Sequence, residues 1–415
     1  MFARTSPAVI VAGGGPVGLL GALCLHDQHV PLEVVDAAPR DVALRRRHWL
    51  NNTHLLHPRS IALLDRHGVA APVLARSQQV RTLGVYSGAE HLATLSFERA
   101  AERQRLPFPF AAVVSHADLD DCLREALRQR RITLHDQQRL ARIEQGAARV
   151  RVTIDHLESD SAGYATARSE LMVSKSEELE PELVIAADGT ESVARQQLDL
   201  GFRELRPIER FAIFEGQARV PLSEDAALVL GDDHSLSVWP LPGGRYHVIS
   251  STRQRHGNGP DEATVDEPFA RAAWLETHLG PLEPRSLQNF EHGVASAWGR
   301  GRVWLAGTAA HCTSPLGSQD LNAGLNEAAR LGELFAAILR GEASAGTLAS
   351  YEQERARDWQ RLLGLAPPLG TSRGALGALG FQRLAPCIPA CGEDFDVLLE
   401  QVQSAASSGA RTAPS

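Results

Sequence analysis

Lysine is almost missing from this chain of 415 residues. Lys175 is the single lysine, so arginine supplies nearly all of the 42 basic residues. A phosphate-binding Walker loop requires Gly-Lys-Ser/Thr, whereas Lys175 stands in Val-Ser-Lys-Ser with no glycine beside it. Schiff-base catalysis would depend on this one residue, in a Ser- and Glu-rich stretch typical of a solvated turn. The sequence therefore disfavours both kinds of chemistry.

An excess of positive charge is also absent. The chain has 42 basic and 50 acidic residues, which gives a net charge of −8. Because no global basic field is available to hold a phosphate backbone, we expect no nucleic-acid partner. With 43% hydrophobic residues the composition is not that of a disordered chain, and the length indicates two or three packed units or one large mixed fold.

Cysteines are few, odd in number and scattered. No spacing between them matches a tetrahedral metal site, so we expect no metal. The pattern indicates a reducing compartment and ordinary buried thiols. The five cysteines are Cys24, Cys122, Cys312, Cys387 and Cys391.

The N-terminal region contains an uncharged, largely apolar run from Ala8 to Leu25, about as long as a signal peptide or membrane anchor. The sequence Gly13-Gly-Gly-Pro16 would break a spanning helix at its centre. Interpreted as strand, turn and helix, the run gives a buried parallel strand over 8–12 and a helix that begins at Pro16. We therefore expect a cytoplasmic protein without a transmembrane segment.

A Gly-x-Gly-x-x-Gly pattern connects this strand to this helix. Its first glycine permits a tight turn, its second lets the backbone approach a pyrophosphate, and its third allows close helix–strand packing. The helix N-terminus favours phosphate, and a second strand over 31–36 ends in an acid placed to accept from a ribose hydroxyl. The segment predicts a dinucleotide site. Its predicted contacts are Gly13, Gly15, Pro16, Val17, Gly18 and Asp36.

Further along the chain, local patterns predict a helix over 58–67 and a capping box, Ser115-x-x-Asp118, before a second amphipathic helix. Residues 155–181 are polar and predict a loop, with a hairpin as the alternative. A Pro-Gly-Gly turn at 242–244 separates two predicted strands. The whole pattern is typical of an α/β nucleotide domain with a β-rich insertion and a helical end.

Two later segments extend the first motif. One is a strand followed by Asp188-Gly189-x-x-Ser-x-x-Arg195, and the other is a strand followed by a Gly-rich loop and helix over 301–324. Together, in this order over residues 8–365, the three motifs resemble the FAD-dependent aromatic hydroxylases, the single-component flavin monooxygenases of the p-hydroxybenzoate hydroxylase type. The resemblance implies an α/β fold: a Rossmann-like FAD-binding domain with an inserted β-sheet substrate domain and C-terminal helices.

This resemblance also implies a domain division. The expected units are a discontinuous FAD-binding domain over 1–76, 110–200 and 298–340, a β-rich substrate domain over 77–109 and 201–297, a C-terminal helical region over 341–402, and a disordered tail over 403–415.

The implied activity is oxygenation, chiefly hydroxylation, of an aromatic or polyketide-like small molecule. NADH or NADPH would reduce FAD, and O₂ would then form a flavin C4a-hydroperoxide, so the cofactor would supply the reactivity and the protein the positioning. A single dinucleotide motif agrees with a nicotinamide that binds transiently. A flavin reductase or oxidase on the same fold, or a flavin-free binding protein, stays an alternative. We expect a monomer or homodimer.

Further cofactor contacts follow from the resemblance, with Pro315 beside the reactive face of the isoalloxazine. Thr308 stands where an aspartate is usual, and His116 where glutamine or arginine is usual. Asp320 replaces a usual glycine; near the flavin it would disfavour an anionic reduced ring, unless it faces solvent as a helix cap. The implied contacts are His116, Asp188, Gly189, Gly307, Thr308, Pro315, Gly317, Gln319, Asp320, Leu321 and Asn322.

The substrate pocket is expected under the β-rich domain. Benzoate hydroxylases of this family present an arginine from the strand before the hairpin turn, and here Trp239 falls at that place. No tyrosine lies between 211 and 239, so a tyrosine relay is not implied. We expect a neutral or larger aromatic substrate bound near Trp239 and Arg245, with His234 or His247 as general base.

Overall fold

The computed structural model describes residues 6–39, 53–159, 171–231, 234–252, 272–366 and 380–409. The strands are β1 Val9–Ala12, β2 Leu32–Asp36, β3 Thr53–Leu56, β4 Gln78–Val80, β5 Thr82–Ser87, β6 Glu90–Ser96, β7 Ala111–Ser115, β8 Leu134–Asp136, β9 Gln138–Gln145, β10 Val150–Ser159, β11 Leu171–Leu179, β12 Leu183–Ala186, β13 Phe202–Ala218, β14 Ala226–Leu230, β15 Ser235–Leu241, β16 Arg245–Thr252, β17 Leu279–Ala295, β18 Gly299–Arg300, β19 Val303–Leu305 and β20 His311–Cys312.

The helices pack around these strands. They are α1 Pro16–Asp27, α2 Pro58–Arg66, α3 Ala70–Leu74, α4 Phe97–Gln104, α5 His116–Gln129, α6 Val193–Gln197, α7 Leu275–His278, α8 Gln319–Leu339, α9 Thr347–Leu362, α10 Phe381–Leu384 and α11 Glu393–Gly409.

A six-stranded sheet in the order β18-β19-β12-β1-β2-β8 forms the centre of the nucleotide domain. Its central strand β1 pairs in parallel with β12 and with β2, and all four β1 side chains are buried. The uninterrupted apolar sequence of β1 suits a strand that is covered on both faces. The strand–turn–helix–strand unit predicted at the N-terminus is confirmed as β1, α1 and β2.

An eight-stranded sheet in the order β20-β17-β13-β16-β15-β14-β5-β6 forms the second layer. Alternate residues of its strands point to opposite faces. One face, with Phe211 and Ile249, joins the main core, and the other, with Phe214 and Val248, packs on a separate core that includes Leu275 of α7. The predicted α/β fold class with a β-sheet second domain is confirmed, while the domain boundaries stay predictions.

For the polar segment over 155–181 the structure supports the hairpin alternative rather than the loop. β10 and β11 pair antiparallel, and Lys175 lies opposite His156 on β11 rather than in a turn. Ile154 and Leu179 are buried, whereas Ser174 and Lys175 are exposed. A strand with one solvated face can be largely polar, which is why composition favoured a loop there.

The disordered tail predicted from residue 403 is wrong for residues 403–409, because α11 continues through Gly409. Val402 is buried and Ala405 packs against the main core. Gln401 holds the helix to the sheet domain: its Oε1 accepts from Ser96 N at 2.7 Å and its Nε2 donates to Ser96 O at 3.2 Å. The rest of the predicted tail, 410–415, lies outside the described residues.

All five cysteines are buried free thiols. Within the described ranges, no group of three or more His, Cys, Asp or Glu side chains is arranged to hold a metal ion. The same part of the chain contains no helix with both the length and the apolarity needed to span a membrane.

Candidate cofactor and substrate site

A cavity of about 800 Å³ lies between the two large sheets. We call one part the cofactor end, lined by Gly13–Val17, Asp36, Asp188, Gly189, Thr308 and Asp320. We call the other part the sheet end, lined by Ile213, Ile249, Gln288 and Phe290. Pro315 lines the same cavity, as do His54 and His116.

The glycine turn is formed by close backbone packing on one side and open space on the other. Gly13 has φ +107°, and a Cβ there would lie 2.0 Å from Ala187 O. A Cβ on Gly18 would lie 2.0 Å from Gly13 O, so only glycine lets α1 approach this turn. Gly15 differs, because its Cβ would meet nothing within 4 Å. The turn thus exposes backbone to the cavity at Gly15.

Asp36 ends β2 at the cavity wall, next to the glycine turn. Arg124 of α5, which the sequence analysis missed, holds it there: Arg124 Nη2 donates to Asp36 Oδ2 at 2.9 Å and to Gly14 O at 3.1 Å. The same guanidinium binds Asp120 at 2.9 Å and Asp136 at 2.8 Å. The only local signal was the spacing of Asp120 and Arg124, which suits an ion pair on one helix.

Asp188 and Gly189 also line the cavity. The Asp188 carboxylate, however, accepts hydrogen bonds from the start of α6, the helix that follows it. Ser192 Oγ donates to Oδ1 at 2.6 Å and Ala194 N donates to Oδ2 at 3.1 Å. Burial raises the pKa of Asp188. Arg195 connects this motif to the third one, because its Nη1 donates to Ala309 O at 2.8 Å. The second and third motifs therefore meet through side chains as well as through strands β12 and β19.

The third motif is divided between cavity and core. Thr308, Pro315, Asp320 and Leu321 line the cavity, whereas Gln319 and Asn322 direct their side chains into the protein. Gln319 Nε2 donates to Ala385 O and Ile388 O, both at 2.9 Å. Asn322 Nδ2 donates to Leu55 O at 2.8 Å, and Asn322 Oδ1 accepts from His57 N at 2.8 Å. These two amides fix the loop between β3 and the C-terminal segment.

A fully buried histidine lies behind this loop, between two carboxylates. His311 Nε2 is 2.8 Å from Glu327 Oε2, and His311 Nδ1 is 3.3 Å from Asp320 Oδ1. The imidazole stacks on Trp359 with ring centroids 3.9 Å apart. Glu327 and Asp320 raise the pKa of His311 to about 9 against the opposing effect of burial. His311 is therefore an imidazolium at neutral pH.

Asp320 is not a solvent-facing cap of α8. Its Oδ2 accepts from Thr313 N at 2.9 Å, its Oδ1 faces His311, and its side chain is 21% exposed. Of the two interpretations that the sequence allowed, the structure supports a carboxylate at the cavity wall.

A pair of neighbouring histidines, His54 and His116, also lies at the cavity, between the third motif and the eight-stranded sheet. His54 Nε2 and His116 Nδ1 are 2.9 Å apart. The next residue of β3, Leu55, donates its N–H to Ser318 Oγ at 3.1 Å, which ties the strand to the start of α8. Burial lowers the pKa of His54 to about 3 and that of His116 to about 4. Both rings are therefore neutral. His116 was predicted as a cofactor contact, but its partner His54 was missed.

The four candidate pocket residues of the sheet do not line the cavity. Arg245 forms an ion pair with Glu215, and His234 covers Gly231. Trp239 and His247 are 3% and 1% exposed and lie opposite each other on β15 and β16. His247 lies on the same sheet face as Ile249, but two residues further along β16, about 7 Å away. Their roles as substrate contacts or general bases stay predictions.

Other predicted contacts divide in the same way. Those that line the cavity are Gly13, Gly15, Pro16, Val17, Asp36, His116, Asp188, Gly189, Thr308, Pro315, Asp320 and Leu321. Those that do not are Gly18, Gly307, Gly317, Gln319 and Asn322, which shape the turns and loop behind the wall.

The cofactor end has the features that a dinucleotide phosphate requires. α1 begins at the turn with Pro16 in its first position, and no described side chain caps its N-terminus or places an acid in its first turn. Its N-terminal N–H groups and the positive end of its dipole are thus available to an anion. At Gly15, the space that a Cβ would occupy is open to the cavity. The residues present therefore fit the pyrophosphate of FAD.

Comparison with known proteins agrees with this geometry. The model of the FAD binding domain family matches residues 6–366, and the chain therefore belongs to this family. FAD is its cofactor. A crystal structure of p-nitrophenol 4-monooxygenase from Pseudomonas putida DLL-E4 superposes with a TM-score of 0.69 at 22% identity, covering 97% of this chain and 98% of that one. That likeness shows the fold.

Two curated relatives are more similar in sequence. Pentachlorophenol 4-monooxygenase of Sphingobium chlorophenolicum is 28% identical over 366 residues, which cover 86% of this chain and 63% of the relative. Para-nitrophenol 4-monooxygenase of Pseudomonas sp. strain WBC-3 is 25% identical over 382 residues, covering 85% and 83%. This chain spans between 60% and 67% of the length of several other curated relatives that it matches.

Proposed function

We propose that this protein is an FAD-dependent monooxygenase that uses NADH or NADPH and O₂ to hydroxylate a neutral aromatic molecule, with phenols as the first class to test. One observation carries the proposal: the cavity that begins at the glycine turn continues without a wall to the apolar residues of the second sheet. A plain NAD-dependent dehydrogenase would not need the Asp188 and Pro315 motifs, which both line this cavity. The names of two relatives agree with the reaction and with a phenol ring, since both describe monooxygenases of substituted phenols.

The sheet end is suited to an uncharged ring. Ile213 and Ile249 lie opposite each other on β13 and β16, and Phe290 packs edge-on against Phe211 with ring centroids 5.6 Å apart. Such a surface excludes water and packs against an aromatic face. Gln288 adds an amide at the wall. Bound FAD would supply the redox and oxygen chemistry, while these residues would position the substrate and keep the compartment dry.

The neutral histidine pair offers hydrogen bonds without a charge. His54 Nε2 is occupied by His116, and among the described residues no partner contacts His54 Nδ1. A neutral imidazole can accept from a phenol hydroxyl or donate to it, depending on its tautomer. Because burial disfavours the imidazolium form, this pair is a poor partner for a carboxylate substrate. The proposal is therefore limited to uncharged aromatic substrates.

The test is NAD(P)H oxidation by the purified yellow protein with a panel of phenols, with ¹⁸O₂ and mass spectrometry of the product. We expect substrate-stimulated NAD(P)H consumption and one ¹⁸O atom in the product. Ile213→Trp should keep FAD and lose the stimulation, because the indole fills the sheet end. Val220→Trp, which adds the same ring at an exposed loop position, should behave as wild type.

Each alternative gives a different result. NAD(P)H oxidation without ¹⁸O in any product would indicate a reductase or oxidase. Protein that purifies without flavin and cannot be reconstituted with FAD would indicate a flavin-free binding protein. Either result would overturn the proposed activity.

A further inference from the structure

We propose that Asp320, held in place by His311, is a determinant of the reduction potential of the bound flavin: its carboxylate makes the potential more negative than it would otherwise be. The inference depends on FAD binding but not on the identity of the aromatic substrate.

The first step is that hydrogen bonds fix the arrangement of the cluster formed by His311, Glu327 and Asp320. Each ring nitrogen of His311 faces a carboxylate oxygen, and carboxylates only accept, so the imidazolium satisfies both at once. Stacking on Trp359 holds the ring plane. Thr313 N donates to the second oxygen of Asp320. Asp320 therefore cannot rotate away from the wall without losing two partners.

The second step concerns which carboxylate acts on the cavity. Glu327 is 0% exposed, and both of its oxygens are engaged: Oε2 accepts from Gly307 N at 3.0 Å and faces His311, and Oε1 accepts from Trp359 Nε1 at 3.2 Å. It does not line the cavity. Asp320 does. The cavity is thus exposed to the charge of Asp320, while His311 lies behind it.

The other charges that act on Asp320 and Glu327 do not cancel this effect. Arg355 acts on Glu327 and is itself paired with Asp358 at 3.0 Å. His292 acts on Asp320 from β17, but it lies next to Glu209 at 3.2 Å. Glu327 balances His311. Burial raises the pKa of Asp320, and the contacts with His311 and Thr313 N oppose that rise. With Asp320 ionised, the three groups His311, Glu327 and Asp320 sum to one negative charge, and Asp320 is the one of the three that lines the cavity.

The consequence is electrostatic. Reduction of a flavin by hydride adds negative charge to its ring system, and a carboxylate on the wall of a water-excluding cavity opposes that change. The helix dipole at the N-terminus of α8 acts in the opposite direction, and Asp320 in the first turn offsets it. Asp320 should therefore lower the potential, and His311 is the positioning residue that keeps the carboxylate at the wall.

The experiment compares the FAD-loaded wild type with Asp320→Asn, Asp320→Glu and Glu333→Gln. The midpoint potential is measured anaerobically against a reference dye, without aromatic substrate. Sulfite affinity is measured as a second readout, because sulfite adds to an oxidised flavin as an anion. Glu333 is the matched control: it lies on the same helix, 54% exposed and paired with Arg330, and it does not line the cavity.

We expect Asp320→Asn to shift the midpoint potential to more positive values and to tighten sulfite binding at least about tenfold. Asp320→Glu keeps the charge and should return both quantities towards wild type, which a purely structural role would not require. Glu333→Gln should change neither. A yellow Asp320→Asn protein with the wild-type potential would overturn the inference and leave the proposed activity intact. Wild-type protein unable to hold FAD would overturn both.

Discussion

A histidine behind the cofactor end of the cavity and a histidine towards its sheet end differ in charge, because the first is an imidazolium and the second is neutral. At the cofactor end His311 lies between Glu327 and Asp320, and its pKa is raised to about 9. Towards the sheet end, burial and the nearby imidazoles of His116 and His247 lower the pKa of His54 to about 3. Burial disfavours the imidazolium in both places, so the neighbouring carboxylates decide the difference. One wall of the cavity is consequently ionic and the other neutral.

The largest expected effect is the loss of FAD from the cofactor end. In Gly15→Val the new side chain would occupy the space where backbone meets pyrophosphate, so FAD retention should be abolished. The ratio of flavin to protein absorbance measures this directly. Gly201→Val is the matched control, because a Cβ there also meets nothing within 4 Å but lies away from the cavity. Stoichiometric flavin in Gly15→Val would disprove the placement of the pyrophosphate.

Glu327→Gln, behind the cofactor end, should lower the free energy of unfolding more than any surface substitution. The substitution leaves the His311 imidazolium with a weaker partner inside the core, and breaking a buried ion pair costs about 3–5 kcal/mol. The free energy of unfolding from denaturant titration is the measurement. Glu333→Gln, on the exposed side of the same helix, should stay within about 0.5 kcal/mol of wild type. A loss below about 1 kcal/mol for Glu327→Gln would mean that His311 is neutral.

The two ends should also respond to pH with opposite sign. Below about pH 6.5, His54 is protonated in the unfolded chain but not in the folded protein. The free energy of unfolding therefore decreases as the pH is lowered, by about 2 kcal/mol at pH 5 for this residue. His54→Gln should remove that part of the loss, as seen in unfolding free energies at pH 7.5 and 5. The stabilising contribution of the charged His311 is fully present below about pH 6.5 and is lost as the pH rises to about 9. An unchanged acid slope in His54→Gln would contradict its neutral state.

The smallest effect is expected at Thr308, on the wall of the cofactor end. Thr308→Asp introduces an acceptor whose hydrogen bonds are charge-assisted, so FAD should bind more tightly by about 1 kcal/mol, roughly fivefold in Kd. Reconstitution of apoprotein followed by flavin fluorescence measures the affinity. Thr308→Val, which keeps the size and removes the hydroxyl, should weaken binding. Unchanged or weaker affinity in Thr308→Asp would mean that the residue does not face the flavin.

Much of the cofactor end was predictable because its signals are local. The glycines, Pro16 and the acid that ends β2 stand within one continuous segment, and each has a conformational requirement that few other residues meet. The capping box at Ser115 is confirmed for the same reason: Ser115 Oγ accepts from Asp118 N at 3.1 Å. Such contacts join residues a few positions apart, so the spacing alone identifies them.

The residues predicted for the sheet end do not line the cavity, because its contacts are between distant strands. His247 lies on the same sheet face as Ile249, as strand alternation indicates. Its distance from the cavity depends on how the second sheet packs over the first. The His54–His116 pair joins residues 62 positions apart, and Arg124 reaches Asp36 over 88 positions. No periodicity marks such pairs.

The sequence alone determined that an apolar strand, a glycine turn and a helix would form an anion site, since backbone conformation and burial act over neighbouring residues. The tertiary structure decided which side chains line the cavity and which of its histidines carry charge. Those properties depend on electrostatics and packing between segments that only the folded chain brings together.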